Sequence, residues 1–161
     1  MPSGFFRDTQ RGAVLLVSLV FLLLLTLLGV SSMQNATLQE KMAGSVTMRN
    51  VSFQTAEAAL RLGESAIQVT GYTLAKCGVG KCVPPVESIT VSSAGNNGTS
   101  GVTWVAVTNG FYGIQNLGTT TAPINRPPNC SVGSSVTLYR VTAVGVKGNS
   151  KTVLESIYAN C

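Results

Sequence analysis

No charged side chain occurs in residues 12–39, between Arg11 and Glu40. Within that interval the run Ala13-Val-Leu-Leu-Val-Ser-Leu-Val-Phe-Leu-Leu-Leu-Leu-Thr-Leu-Leu-Gly-Val30 is apolar with only isolated hydroxyls. At about 1.5 Å of rise per residue, Ala13 to Met33 forms a helix of roughly 30 Å, enough to cross a bilayer. Such a helix needs either lipid or other helices around it, and the rest of the chain has to be compatible with one of those two settings.

The chain has 161 residues, so beyond this segment there is room for one modest globular domain. The C-terminal half is rich in Gly, Ser, Thr, Asn and Val, which separates a helical anchor from a β-rich head. Formal net charge is +5, and without Arg7, Asp8 and Arg11 it falls to +4. The remaining basic residues are scattered from Lys41 to Lys151 with no run, so a direct nucleic-acid surface is not expected. Histidine is absent, which removes Ser-His, Cys-His and His-metal arrangements. The single Asp is Asp8, the other acids are Glu40, Glu57, Glu64, Glu87 and Glu155, and no phosphate loop is present. No enzyme, no cofactor and no metal is expected.

Residues 1–12 are short, polar and net positive, like the leading region of an export signal. Gly29-Val30-Ser31-Ser32 offers small residues to a signal peptidase, which keeps simple secretion open. However, helix-compatible sequence continues from Ser32 to Gln68 without a proline. Phe53, Ala56, Leu60 and Ile67 recur at helical spacing as a core stripe, widened by Ala59, Leu62 and Ala66. Glu57 and Arg61 make a favourable i,i+4 pair. Gly44 and Gly63 are weak points, and Gly71-Tyr72 marks the expected end. One helix from about Ala13 to Val69 would be on the order of 85 Å long.

Past the Cys77–Cys82 loop and Pro84-Pro85, β-branched runs at Ser88–Ser92 and Val102–Thr108 read as strands. Phe111–Gln115 reads as a short third strand after the Asn109-Gly110 turn, and Gly118–Asn129 as irregular. Val136–Val146 and Lys151–Tyr158, joined by Lys147-Gly-Asn-Ser150, form the strongest hairpin signal. A sheet of four or five strands needs a cover, and the amphipathic helix supplies one.

All four cysteines lie downstream of the apolar helix. An even count there points to disulfides in an oxidising compartment, whereas the spacing suits a zinc site poorly. This places the C-terminal domain outside the cell membrane, which charge counting alone does not decide. Of three possible pairings, Cys77–Cys82 with Cys130–Cys161 is favoured. The second would close about 30 residues and contribute roughly 3–4 kcal/mol in the chain-entropy model.

A short basic leader ending in Gly12, the uncharged helix, a long helix leading into a small sheet and a C-terminal disulfide together resemble type IV pilins. The blocks Gln10-Arg-Gly-Ala-Val-Leu-Leu-Val-Ser-Leu-Val-Phe-Leu, Leu38-Gln-Glu-Lys-Met-Ala-Gly44, Arg49-Asn, Phe53-Gln-Thr-Ala-Glu-Ala-Ala-Leu60 and Tyr139-Arg-Val-Thr-Ala143 are similar to PilX-type minor pilins. The likeness spans the first 65 residues well and the final hairpin moderately; about 75–130 has no match. The resemblance implies an α+β, type IV pilin-like fold: a long N-terminal α-helix, hydrophobic then amphipathic, packed on a small antiparallel β-sheet. Its expected parts are a leader (1–12), a transmembrane and assembly helix (13–34), an amphipathic helix (35–70) and a periplasmic head (71–161).

The resemblance further implies cleavage by a prepilin peptidase between Gly12 and Ala13, N-methylation of Ala13, residence in the inner membrane and later extraction into an extracellular pilus. Expected partners are other minor pilins, the major pilin and a large pilus-tip adhesin, with adhesion and twitching motility as downstream roles. The usual Glu five residues into the mature chain is replaced by Val17. Ser18, Thr26, Gly29 and Ser31 permit close helix contact. A pseudopilin of a type II secretion system and a membrane-anchored or secreted periplasmic binding module are the alternative readings.

Overall fold

The structure is a computed structural model and describes residues 10–96 and 98–161. Its elements are helix α1 (Gln10–Ile67), a 3-10 helix (Val86–Ile89) and strands β1 (Trp104–Val107), β2 (Gly110–Thr120), β3 (Val136–Lys147) and β4 (Ser150–Asn160). One compact unit ends at Ser45 and a second comprises Val46–Cys161. A long N-terminal helix with a small four-stranded antiparallel sheet is the α+β arrangement expected of the chain.

The second unit holds the sheet, in the order β1-β2-β3-β4, each strand antiparallel to the next. Alternation along β3 sends Tyr139, Val141, Ala143 and Gly145 to one face and Arg140, Thr142 and Val144 to the other. The first face lies against α1. Ile67, Tyr139 and Val141 form its buried centre, flanked by Leu60, Tyr72, Ile114 and Tyr158.

Small residues let the helix come close. Ser52, Ala56, Ala59, Gly63 and Ile67 are the buried positions of α1. A methyl on Gly145 would sit 2.1 Å from the Ser52 carbonyl oxygen and 2.4 Å from the Ala56 nitrogen. One on Gly63 would sit 2.5 Å from Val141 Cγ1. Gly63 is therefore a contact point as well as a helix weak point. Phe53 departs from expectation: it is 46 % exposed and stands outside the helix–sheet core. Leu62 is 51 % exposed. The sheet is narrower than the apolar stripe and contacts its small members.

The helix stops at Ile67, ahead of Gly71. A tight turn (Gln68 N–H to the Ser65 carbonyl, 3.1 Å) ends it, and Asn160 Nδ2 donates to the Ile67 carbonyl at 3.0 Å. That side chain satisfies one of the carbonyls a helix terminus leaves open.

The opposite face of the sheet is covered too. Val91, Val102, Trp104 and Val144 form a buried cluster with Phe111, Val146 and Val153 around it. The expected strand at Ser88–Ser92 is instead the 3-10 turn Val86–Ile89 and its exit. Pro85 precedes it at φ −69°, and Thr90 and Val91 both donate to the Glu87 carbonyl, at 2.9 and 2.8 Å. Proline cannot donate to a ladder, and the local turn bonds take up the groups that a strand would need. β2 continues to Thr120, past the expected boundary, through a register shift between Asn116 and Gly118. The β3–β4 hairpin turns through Gly148 (φ 56°) and Asn149, with Lys147 opposite Ser150. A positive φ at the first central residue matches the twist of two-residue hairpins.

Candidate assembly helix and the braces of the head

Every residue from Gly12 to Asn50 is exposed. Leu and Val side chains from Val14 to Val30 lie open, and α1 is long and apolar enough to cross a membrane. Burying one such side chain is worth about 1.5–3 kcal/mol, so this surface is a demand for lipid or partner helices. Its hydroxyls are already satisfied: Ser18 Oγ donates to the Leu15 carbonyl and Thr26 Oγ1 to the Leu23 carbonyl, both at 2.8 Å. Backbone acceptors one turn back leave these groups without need of water. Gly12 and Ala13 lie exposed on this helix, whereas residues 1–9 of the expected leader lie outside the described residues. Val17 is 56 % exposed. An uncharged side chain there leaves residues 12–39 of the helix without a carboxylate.

In the head, Cys77 is bonded to Cys82 and Cys130 to Cys161, with Cα–Cα distances of 5.3 and 5.8 Å. Ala56 and Ile67 are fully buried and Leu60 packs beside Ile67. Glu57 and Arg61 make no ion pair among the described residues. The ion pair found is Arg140 Nε to Glu155 Oε2, at 3.8 Å.

This pair belongs to a polar brace that the sequence reading missed. Arg140 Nη1 donates to the Cys82 carbonyl at 2.7 Å and to Gln115 Oε1 at 3.3 Å. Gln115 Nε2 donates to the carbonyls of Lys81 (2.7 Å) and Val83 (3.2 Å). Thr142 Oγ1 completes it by donating to Glu155 Oε1 at 2.9 Å. Strand register puts Gln115 opposite Arg140 and Thr142 opposite Glu155, so three strands together hold the backbone of the Cys77–Cys82 loop. The available signal was a lone Arg and a lone Glu inside otherwise β-branched strands, at positions that alternation turns to the same face.

Other braces repeat this pattern. Lys151 Nζ donates to the carbonyls of Ile89 (3.1 Å) and Val91 (2.9 Å), fastening the 3-10 turn to β4. Arg126 reaches the carbonyls of Thr121, Ser131 and Ser134 and gathers the loop before Cys130. Ser52 Oγ lies 2.7 Å from Thr152 Oγ1 and 3.1 Å from Ser150 Oγ, and Ser156 Oγ donates to Glu64 Oε1 at 2.6 Å. These side chains are all engaged in holding structure. Among the described residues no group of three or more His, Cys, Asp or Glu is placed to hold a metal ion.

The described residues thus present an exposed apolar helix surface and a sheet domain tied down by two disulfides and by hydrogen bonds. Residues 11–61 match the family model described as PilX N-terminal. No curated protein and no solved structure matches the chain.

Proposed function

From the premise that residues 11–61 carry a PilX N-terminal domain, as in a PilX-type type IV pilin, we propose that this chain is a structural minor pilin that helps to initiate pilus assembly. The observation that carries this reading is the coincidence of the family match with a helix whose side chains are exposed from Gly12 to Asn50. The chain is cleaved between Gly12 and Ala13 by a prepilin peptidase and methylated at Ala13. Segment 13–34 then anchors it in the inner membrane, with the head (71–161) periplasmic and 35–70 leading into it. On assembly the apolar surface exchanges lipid tails for neighbouring helices. Partners are other minor pilins, the major pilin and a large tip adhesin.

Val17 supports a position at or near the tip. A buried, unpaired carboxylate costs several kcal/mol, so a Glu at this place is useful only where a neighbour's amine meets it. The first subunit to enter has no predecessor to meet. Mass spectrometry of sheared pili from the native host should find the chain beginning at Ala13. Its absence from pili, with normal piliation in a deletion strain, would overturn the reading. Val17→Glu should lower pilus number and tip incorporation; unchanged counts by electron microscopy would strip Val17 of positional meaning.

A further inference from the structure

We propose that the free edge of β4 accepts an extended segment of another protein chain as a fifth strand, with Phe53 as its apolar footing. β4 is the last strand of the sheet and runs for 11 residues. The two-residue turn makes Lys147 and Ser150 a hydrogen-bonded pair, and bonded pairs recur at every second residue of an antiparallel ladder. Thr152, Leu154, Ser156 and Tyr158 therefore direct their backbone groups at β3. Lys151, Val153, Glu155, Ile157 and Ala159 direct theirs outward. Among the described residues, none of these five makes a backbone hydrogen bond beyond the sheet. A long open edge of this kind is a ready template for strand pairing.

A second, separate observation lies beside it. Phe53 is 46 % exposed and shares a groove of about 560 Å³ with Arg49, Thr152 and Val153. The aromatic ring stands on the helix face just past the point where the sheet ends. One more strand on β4 would fill that groove and cover the ring. On the other face of the same edge, Ile157 is 55 % exposed. Arg49 has no ion pair among the described residues. The fitting segment is thus extended, apolar where it meets Phe53 and Ile157, and acidic near Arg49.

A second copy of this chain does not supply that segment through its own β4. Ser52 meets Thr152, and Asn160 meets Ile67, so β4 runs parallel to its own helix. The one acid of β4 is Glu155, already engaged by Arg140 and Thr142, so the β4 of a second copy offers no carboxylate to Arg49. Strand addition needs only the fold; it rests on the pilus reading for nothing but the partner's identity.

The test is photocrosslinking in cells of the native host, with p-benzoylphenylalanine in place of Phe53 in the full chain. One discrete adduct is expected. Ile157→Pro removes an outward N–H without touching the β3 ladder, and should cut adduct yield about tenfold. Ile157→Thr keeps the N–H and should preserve the adduct. No adduct, an adduct indifferent to Ile157→Pro, or equal loss with Ile157→Thr would each overturn strand addition. If Ile157→Pro does not fold in detergent micelles, hydrogen exchange on the wild-type chain decides instead. The Val153 and Ile157 amides should exchange slowly in the crosslinked complex and rapidly in the free chain; rapid exchange in both overturns the proposal. Presence of the chain in sheared pili is scored separately, so either conclusion can fail without the other.

Discussion

Gly145 and Gly63 show how much of this head depends on atoms that are missing. At Gly145 a methyl would collide with helix backbone, which cannot rotate away as a side chain can. Gly145→Ala should lower stability by about 1–3 kcal/mol, the usual cost of overpacking, read as a lower unfolding temperature of the full chain in detergent. Gly44, with nothing within 4 Å, is the contrast: Gly44→Ala should leave that temperature unchanged or raise it. Tyr72 gives a pH prediction. Burial, with Tyr139 and Tyr112 adding to it, raises its pKa above the ordinary 10.0. The folded head thus favours the neutral phenol. Its contribution is complete below the unfolded value and is lost as pH rises through the folded one. Tyr72→Phe, which has no phenol to ionise, should show a smaller fall in melting temperature than wild type between about pH 9 and 11. At this scale the sequence was only partly legible. Helical spacing found Ala56, Leu60 and Ile67, but periodicity does not reveal where a sheet ends, and so Phe53 was misplaced. Ser52 was overlooked because its burial depends on Thr152 and Ser150, some hundred residues away in sequence.

Elements were legible where a local signal agreed with the tertiary context. The β3–β4 hairpin follows from two β-branched runs about a Gly-Asn turn, and the long helix from an unbroken absence of proline. The 3-10 turn was misread because Ser88–Ser92 has strand-like side chains, yet Pro84-Pro85 and the Glu87 carbonyl set its backbone. The far half of β2 was missed because a register shift at Asn116 and Gly118 disguises a strand as a loop. The Cys130–Cys161 bond ties the loop before β3 to the end of β4. Replacing both cysteines by Ser should cost about 2–4 kcal/mol. It should also speed hydrogen exchange at Tyr158 and Asn160 before it reaches Thr152, because Ser52 still holds the opposite end of β4.

For the whole molecule, the two units place different demands on their surroundings. In the unit ending at Ser45, the described residues from Gly12 onward are exposed, and those from Ala13 to Met33 are nearly all apolar. The full chain should therefore stay with membranes through an alkaline carbonate wash and be released only by detergent; recovery in the washed supernatant would contradict anchorage. The unit from Val46 onward covers both faces of its sheet and keeps its loops under side-chain hydrogen bonds. The sequence displayed the first demand openly, as a run without charge. It concealed how the second unit is closed, because Ser88–Ser92 reads as a strand within the sheet, whereas Val91 follows the 3-10 turn and packs with Val102, Trp104 and Val144.

One mechanical consequence follows from the parallel course of β4 and its helix. Hydroxyl contacts at Ser52 grip one end of that strand, and the amide of Asn160 grips the other at Ile67. Traction along the helix axis would load these attachments in shear, all together, instead of peeling them apart in turn. A pull entering at Val46 would leave the sheet fastened to its helix.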